Sequence, residues 1–173
     1  SQLAPEQPQN GEPRTGLSMG EHAAITAREM RVSREAQDEL ALASHQNLHK
    51  AWEEGFFTDL TTGFLGVNRD TNLRPDSSLE SLAKLKPVFG KRDAEQHGAQ
   101  ATMTAGNSTP LTDGASVALL GSEEWAAEHN LEPRAFLVDS ETAAVDFVHG
   151  PDGLLMAPTY AVPRLLERNH LSL

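Results

Sequence analysis

The sequence predicts an α/β protein whose helical first part is followed by alternating strands and helices. Three patterns carry this expectation. Helical patterns over residues 19–30 and 34–54 fill much of the first third of the chain. A small, donor-rich stretch at 101–122 turns into the apolar run 117–120, which has the pattern of a buried strand. A helical run from Ser122 to about Asn130, an alternating run over 134–148 and a helical run over 159–168 then follow in the order of an α/β layer.

The elements are justified in turn. Residues 1–15 contain Pro5, Pro8 and Pro13 among polar neighbours and bury too little to order themselves, so a flexible lead-in is expected. In 19–30, Ala23, Ala24 and Ala27 favour helix, while Ile25 and Met30 offer packing surface. Ser33 is placed to cap the second helix, with Glu35 in its first turn and Gly55 to end it. Its expected packing face is Ala36, Leu40, Ala43, Leu48, Ala51 and Trp52. His45 and His49 lie one turn apart, but no carboxylate pattern completes a metal site with them. The aromatic, threonine and leucine mixture at 56–67 predicts a strand, and 68–75 a polar turn. Leu79, Leu82 and Leu85 predict a short helix over 77–85, capped by Asp76 or Ser77 and stopped by Pro87. Residues 93–100 read as a charged loop, and Asp113-Gly114 as a turn. Pro163 is compatible with the last helix only in its first turn.

Composition narrows the function classes. The 173 residues carry a net charge of −11 with 14 Lys and Arg, which argues against a general nucleic-acid surface but leaves room for local cations that hold an anionic ligand. No apolar run is long enough for a membrane helix, and the opening residues are too polar for a signal peptide. With no cysteine, the chain has no disulfide, thiolate metal site or thiol nucleophile of its own. There is also no Gly-x-Ser-x-Gly elbow and no glycine-rich phosphate loop.

The stretch 101–122 has little volume to bury, but its threonines, Asn107 and Ser108 hydrogen-bond well and its glycines allow close backbone approach. Such a segment suits the wall of a ligand pocket or a tight structural connection. Its core, Thr104-Ala105-Gly106-Asn107-Ser108-Thr109-Pro110-Leu111-Thr112-Asp113-Gly114-Ala115, resembles a segment of the thiolase family. Further segments resemble thiolases in the same order: Met19-Gly20-Glu21, Ser33-Arg34-Glu35-Ala36-Gln37-Asp38, Leu82 to Phe89, Ala144-Val145-Asp146 and Leu154 to Pro158. The likeness is nearest to the beta subunit of trifunctional fatty-acid oxidation enzymes.

That resemblance implies a partial thiolase-like α/β fold, with a helical loop domain and part of the layered core. Residues 16–110 would be the loop domain, 111–132 the end of the N-terminal half and 133–173 the start of the C-terminal half. The implied parent reaction is cleavage of a 3-ketoacyl-coenzyme A by coenzyme A, with coenzyme A as substrate and no metal or redox cofactor. The cysteine, histidine and asparagine segments that carry catalysis in the family are absent here, so no catalytic residue is expected and the chain alone should be inactive. Carried over from the family, Arg74 would contact the nucleotide end of coenzyme A, Phe89 and Ala105 would lie beside the pantetheine arm, and Thr109 would hydrogen-bond to it. Met19, Leu154 and Met156 would line the acyl pocket. Taken alone, Arg74 reads as a solvated loop arginine, while Phe89, Met19, Leu154 and Met156 read as core. The expected setting is a cytoplasmic homo-oligomer, with a hydratase/dehydrogenase alpha subunit as a further partner. A non-catalytic acyl-coenzyme A or lipid-binding module, or an assembly element without ligand, are the alternatives.

Overall fold

The computed structural model describes residues 9–173. Among them are six helices, α1 Met19–Glu29, α2 Arg34–Glu53, α3 Leu79–Ala83, α4 Lys91–Gln96, α5 Glu123–Glu128 and α6 Pro158–Arg168. Three isolated bridges pair Gly11 with Ser18, Phe64 with Val67 and Pro87 with Thr104. The chain divides into two compact units, one ending at Pro110 and the other running from Leu111 to Leu173. The first part of the expected flexible lead-in, 1–8, lies outside the described residues.

In the first unit, local chemistry sets the helix ends. Ser18 and Glu21 form a reciprocal capping box: the Glu21 amide donates to Ser18 Oγ at 3.3 Å and the Ser18 amide donates to Glu21 Oε2 at 2.8 Å. The α1 helix closes when Arg31 takes a left-handed φ of 55° and the Val32 amide returns to the Ala27 carbonyl at 2.8 Å. Ser33 caps α2 through the Ala36 amide at 3.1 Å, and Gly55, at φ 75°, leads the chain out of it.

The packing face of α2 differs from the expected one. Leu40 is 74% exposed, and Ala36 and Ala43 are exposed as well, whereas Asp38 is buried and Arg34, Gln37, His45, Leu48 and Trp52 are partly covered. The helix turns its polar residues inward because Arg34 and Asp38 find partners on the segments packed over them. Its neighbour α3 is shorter than predicted and is capped by Ser78, through a box with Ser81, in place of Asp76 or Ser77.

Residues 93–100, predicted as a loop, begin inside helix α4. The left-handed Gly90, at φ 75°, opens α4, and Arg28 of α1 grips Asp93 with Nε to Oδ2 at 2.6 Å and Nη2 to Oδ1 at 3.1 Å. The predicted strand at 56–67 is instead a series of turns with one Phe64 to Val67 bridge, and Phe56, Phe64 and Leu65 are exposed. Among the described residues its backbone hydrogen bonds are local, from the Phe56 amide to the Ala51 carbonyl at the end of α2 and within the turns, and a strand without a partner has no ladder.

The second unit departs from expectation in the same way. Residues 117–120 and 134–148, both predicted strands, form no strand among the described residues, and Asp113-Gly114 lies in extended chain without a turn. Val117 is 98% exposed and Leu137 84%, and among the described residues no backbone-to-backbone hydrogen bond involves 111–121 or 132–145. The alternating pattern supplies faces that fit a sheet, but no paired backbone. Ser122 caps α5 through the Trp125 amide at 3.1 Å, as its sequence position predicts. The α6 helix starts at Pro158, so Pro163 falls beyond the expected first turn, and it withholds a donor from the helix interior. The end of α6 is tied to the preceding chain: Arg168 Nε donates to Asp139 Oδ2 at 2.8 Å, its Nη1 to Glu141 Oε2 at 2.7 Å, and Asn169 Nδ2 to Asp139 Oδ2 at 2.7 Å.

Candidate functional site

The first unit contains a loop that is fixed without belonging to any helix. The Val88 amide donates to the Met103 carbonyl at 2.8 Å, and the bridge from Pro87 to Thr104 lays the segment before Phe89 along the start of the loop. Thr104 is fully buried, and its Oγ1 accepts from the amides of Gly106 and Asn107, both at 3.2 Å. Asn107 Oδ1 accepts from the Thr104 amide at 2.7 Å, so two side chains close the turn from both directions. Gly106 is required for close packing, because a Cβ there would meet Leu82 Cδ2 at 2.8 Å as well as the Leu85 side chain.

Helix α2 anchors this loop. Asp38 is 3% exposed; its Oδ1 accepts from Asn107 Nδ2 at 2.9 Å and its Oδ2 from Arg34 Nε at 2.8 Å. Asn107 Nδ2 also donates to the Thr102 carbonyl at 3.1 Å, and Gln37 Nε2 donates to Thr102 Oγ1 at 2.9 Å. Arg34 Nη2 reaches the carbonyls of Leu82 at 2.6 Å and Leu85 at 3.1 Å, joining the end of α3 to the same helical turn. Arg34, Gln37, Asp38 and Asn107 were not among the predicted site residues. Their signal is an Arg and an Asp four apart on a helix, followed far along the chain by an Asn in a stretch rich in threonine and glycine.

The predicted residues of the first unit fall in three places. Phe89 is half-buried and lies over Gly20 at the start of α1, where an added Cβ would come within 2.6 Å of its ring. Met19, beside that glycine, is 62% exposed. Ala105 is exposed on the anchored loop and Thr109 just beyond it, and between them the Ser108 Oγ is buried without a partner among the described residues. Arg74 stands apart from these, on a turn tied to α2 by its amide, which donates to His45 Nδ1 at 3.3 Å. Its Nη1 donates to the carbonyls of Thr71 at 2.8 Å and Leu73 at 3.0 Å, while Nε and Nη2 have no protein partner among the described residues. In the second unit, Leu154 and Met156 are partly covered in the turn that leads into α6.

The first-unit residues thus offer an aromatic face, a methionine, a wall of small and hydroxyl side chains and an arginine with free donors. Near Met19, the Ser18 amide and hydroxyl hold the Glu21 carboxyl below its ordinary range, so it is ionised in its cap at neutral pH. A separate cavity of about 220 Å³, lined in part by Arg28, Arg31, Val32, Asp93 and Gln100, includes none of the predicted site residues. No cluster of three or more metal-ligating side chains occurs among the described residues.

Residues 11–124, the greater part of the chain, match the family model described as thiolase, N-terminal domain. The chain belongs to the thiolase family. It is 41% identical over 177 residues to the 3-ketoacyl-CoA thiolase of Serratia proteamaculans and 42% identical over 177 residues to that of Aeromonas salmonicida. Each alignment covers 99% of this chain and 38% of the relative, so the chain spans well under half the length of these thiolases. The crystal structure of the Bacillus anthracis acetyl-CoA acetyltransferase superposes with a TM-score of 0.78 at 34% identity, over 95% of this chain and 41% of that one. The α/β class read from the sequence therefore holds as that of a thiolase fold of which this chain forms part, although the described residues contain no paired strand of their own.

Proposed function

We propose that this chain is the coenzyme A-side wall of a 3-ketoacyl-coenzyme A thiolase acting in fatty-acid β-oxidation. The supporting observation is the loop 102–107, locked to α2 through Asp38 and Asn107 and laid beside the segment of Phe89. Such a loop presents Ala105 and Thr109 on a rigid backbone. In this reading the pantetheine arm runs past the small Ala105, hydrogen-bonds to Thr109 and packs on Phe89. The free donors of Arg74 meet the nucleotide phosphates, and Met19 borders the acyl end.

The reaction is thiolysis: a cysteine thiolate takes the acyl group with departure of acetyl-coenzyme A, and coenzyme A then carries the shortened acyl group away. The chain has no cysteine, so that nucleophile belongs to other residues of the enzyme. What these residues contribute is positioning. An arm held on a fixed wall presents its sulfur end with little conformational freedom left to lose. No metal or redox cofactor takes part. The enzyme works as a cytoplasmic oligomer, with a hydratase/dehydrogenase subunit as its further partner. No described helix is long and apolar enough to cross a membrane.

The test is a thiolysis assay of the full-length protein with 3-ketoacyl-coenzyme A and coenzyme A, beside the Thr109→Ala variant. Turnover is expected for the parent, with a KM for coenzyme A raised several-fold, on the order of 3 to 10, for the variant that loses one hydrogen bond. Coenzyme A binding without any turnover would favour the acyl-coenzyme A-binding module instead.

A further inference from the structure

We propose that Asp38 is a positioning residue for coenzyme A, acting through Asn107. The inference rests on the thiolase reading of the site and extends it to a helix whose side chains touch no ligand. An Asn amide has two ends of opposite hydrogen-bonding character, and a carboxylate accepts only. With Asp38 Oδ1 facing it at 2.9 Å, Asn107 must present Nδ2 to α2 and therefore Oδ1 to the Thr104 amide, which it meets at 2.7 Å. That second contact holds the turn in which Thr104 Oγ1 collects the amides of Gly106 and Asn107.

Asp38 is held in its own orientation by Arg34, whose Nη2 is fixed on two carbonyls at the end of α3. One carboxylate thus sets the direction of one amide, and the amide sets the backbone that carries Ala105 and Thr109. Burial makes the choice strict, since at 3% exposure no water can replace a misdirected partner.

The experiment compares Asp38→Asn, Asn107→Asp and the double variant in the full-length protein. Asp38→Asn leaves one amide oxygen for two donors, Asn107 Nδ2 and Arg34 Nε, so one of them faces a donor, and Asn107→Asp sets carboxylate against carboxylate. The double change restores a donor-acceptor pair across the same gap, and position 107 still accepts from the Thr104 amide, but the carboxylate placed there loses the hydrogen bond that Asn107 gives the Thr102 carbonyl. Each single variant is expected to raise the KM for coenzyme A about tenfold, with kcat within about twofold. The double variant should recover part of that loss, because the contact to the Thr102 carbonyl stays broken.

Thiolysis of acetoacetyl-N-acetylcysteamine by N-acetylcysteamine, in which neither reactant carries most of the arm, should change less than thiolysis of acetoacetyl-coenzyme A by coenzyme A. Equal losses on the two substrates, or folded single variants with unaltered KM, would overturn the proposal. Should the single variants fail to fold, Arg34→Lys keeps a cation beside Asp38 but loses the fork that fixes its carboxylate against the Leu82 and Leu85 carbonyls, and its KM for coenzyme A should still rise, on the order of 3-fold. An unchanged value there would also overturn it. A parent protein without thiolysis activity defeats the underlying functional reading, whereas an active parent with unaffected variants defeats only the role of Asp38.

Discussion

Gly20 is a helical glycine whose replacement by alanine should destabilise the protein, against the usual rule. In a helix, Gly→Ala normally gains up to about 1 kcal/mol. Here the new Cβ would stand 2.6 to 2.7 Å from three ring carbons of Phe89, whereas carbon atoms rest comfortably at about 3.5 to 4.0 Å. The ring must move by roughly 1 Å, and overpacking of this kind costs about 1 to 3 kcal/mol. The propensity gain is small so near the helix start, which leaves a net loss of about 1 to 2 kcal/mol. For a chain of this length that is a fall in Tm of roughly 2 to 8 °C. Thermal unfolding of the parent, Gly20→Ala, Phe89→Leu and the double variant would measure it. The smaller leucine should relieve the clash, so the cycle should give a favourable coupling of about 1 kcal/mol. A Gly20→Ala protein more stable than its parent, with no coupling to position 89, would refute the packing argument. The substitution should also weaken coenzyme A binding if the ring lies along the arm, because it is the ring that yields.

Two further outcomes follow from the charges. Ser18→Ala removes the cap of α1 and should cost about 1 kcal/mol, as read by chemical denaturation. In the parent, the Glu21 carboxyl is held low by Ser18, so its stabilising effect is complete above the unfolded range, about pH 4.5, and is lost as pH falls through the lower folded value; Ser18→Ala should flatten this acid dependence. In the second unit, Arg168, then Asn169 and the Ser140 amide, hold Asp139 well below the ordinary carboxylate range, and Arg168 likewise lowers Glu141. The stabilisation is therefore present at neutral pH and fades as acid protonates both groups, so the Tm difference between parent and Arg168→Met should shrink from pH 7 towards pH 2. Added salt should reduce it too, because Arg168 is half exposed. A difference independent of pH would show that Arg168 acts through packing alone.

Much of the first unit was legible because its signals are local. Ser33 caps α2 where its position announces it, Gly55 ends that helix where a left-handed residue is needed, and in the second unit Ser122 caps α5 likewise. The family was legible in the order of short segments from Met19 to Pro158, since several motifs in sequence are far more specific than one. The site was legible only as residue types. Ala105 and Thr109 could be named from the chain, but the means of holding them could not.

Sequence alone thus determined the starts of α2 and α5, the thiolase membership and the absence of a thiol nucleophile from these residues. The tertiary structure decided which side of α2 faces inward. Helical periodicity offers Leu40 and Ala43 to the core, and the structure exposes them in favour of Asp38, because a buried carboxylate is stable only where Arg34 and Asn107, 69 residues apart from it in the latter case, come to meet it. The same distinction explains the apolar run 117–120 and the alternating run 134–148, which have the patterns of strands but no ladder. Alternation is written along the chain, whereas pairing requires backbone brought from elsewhere.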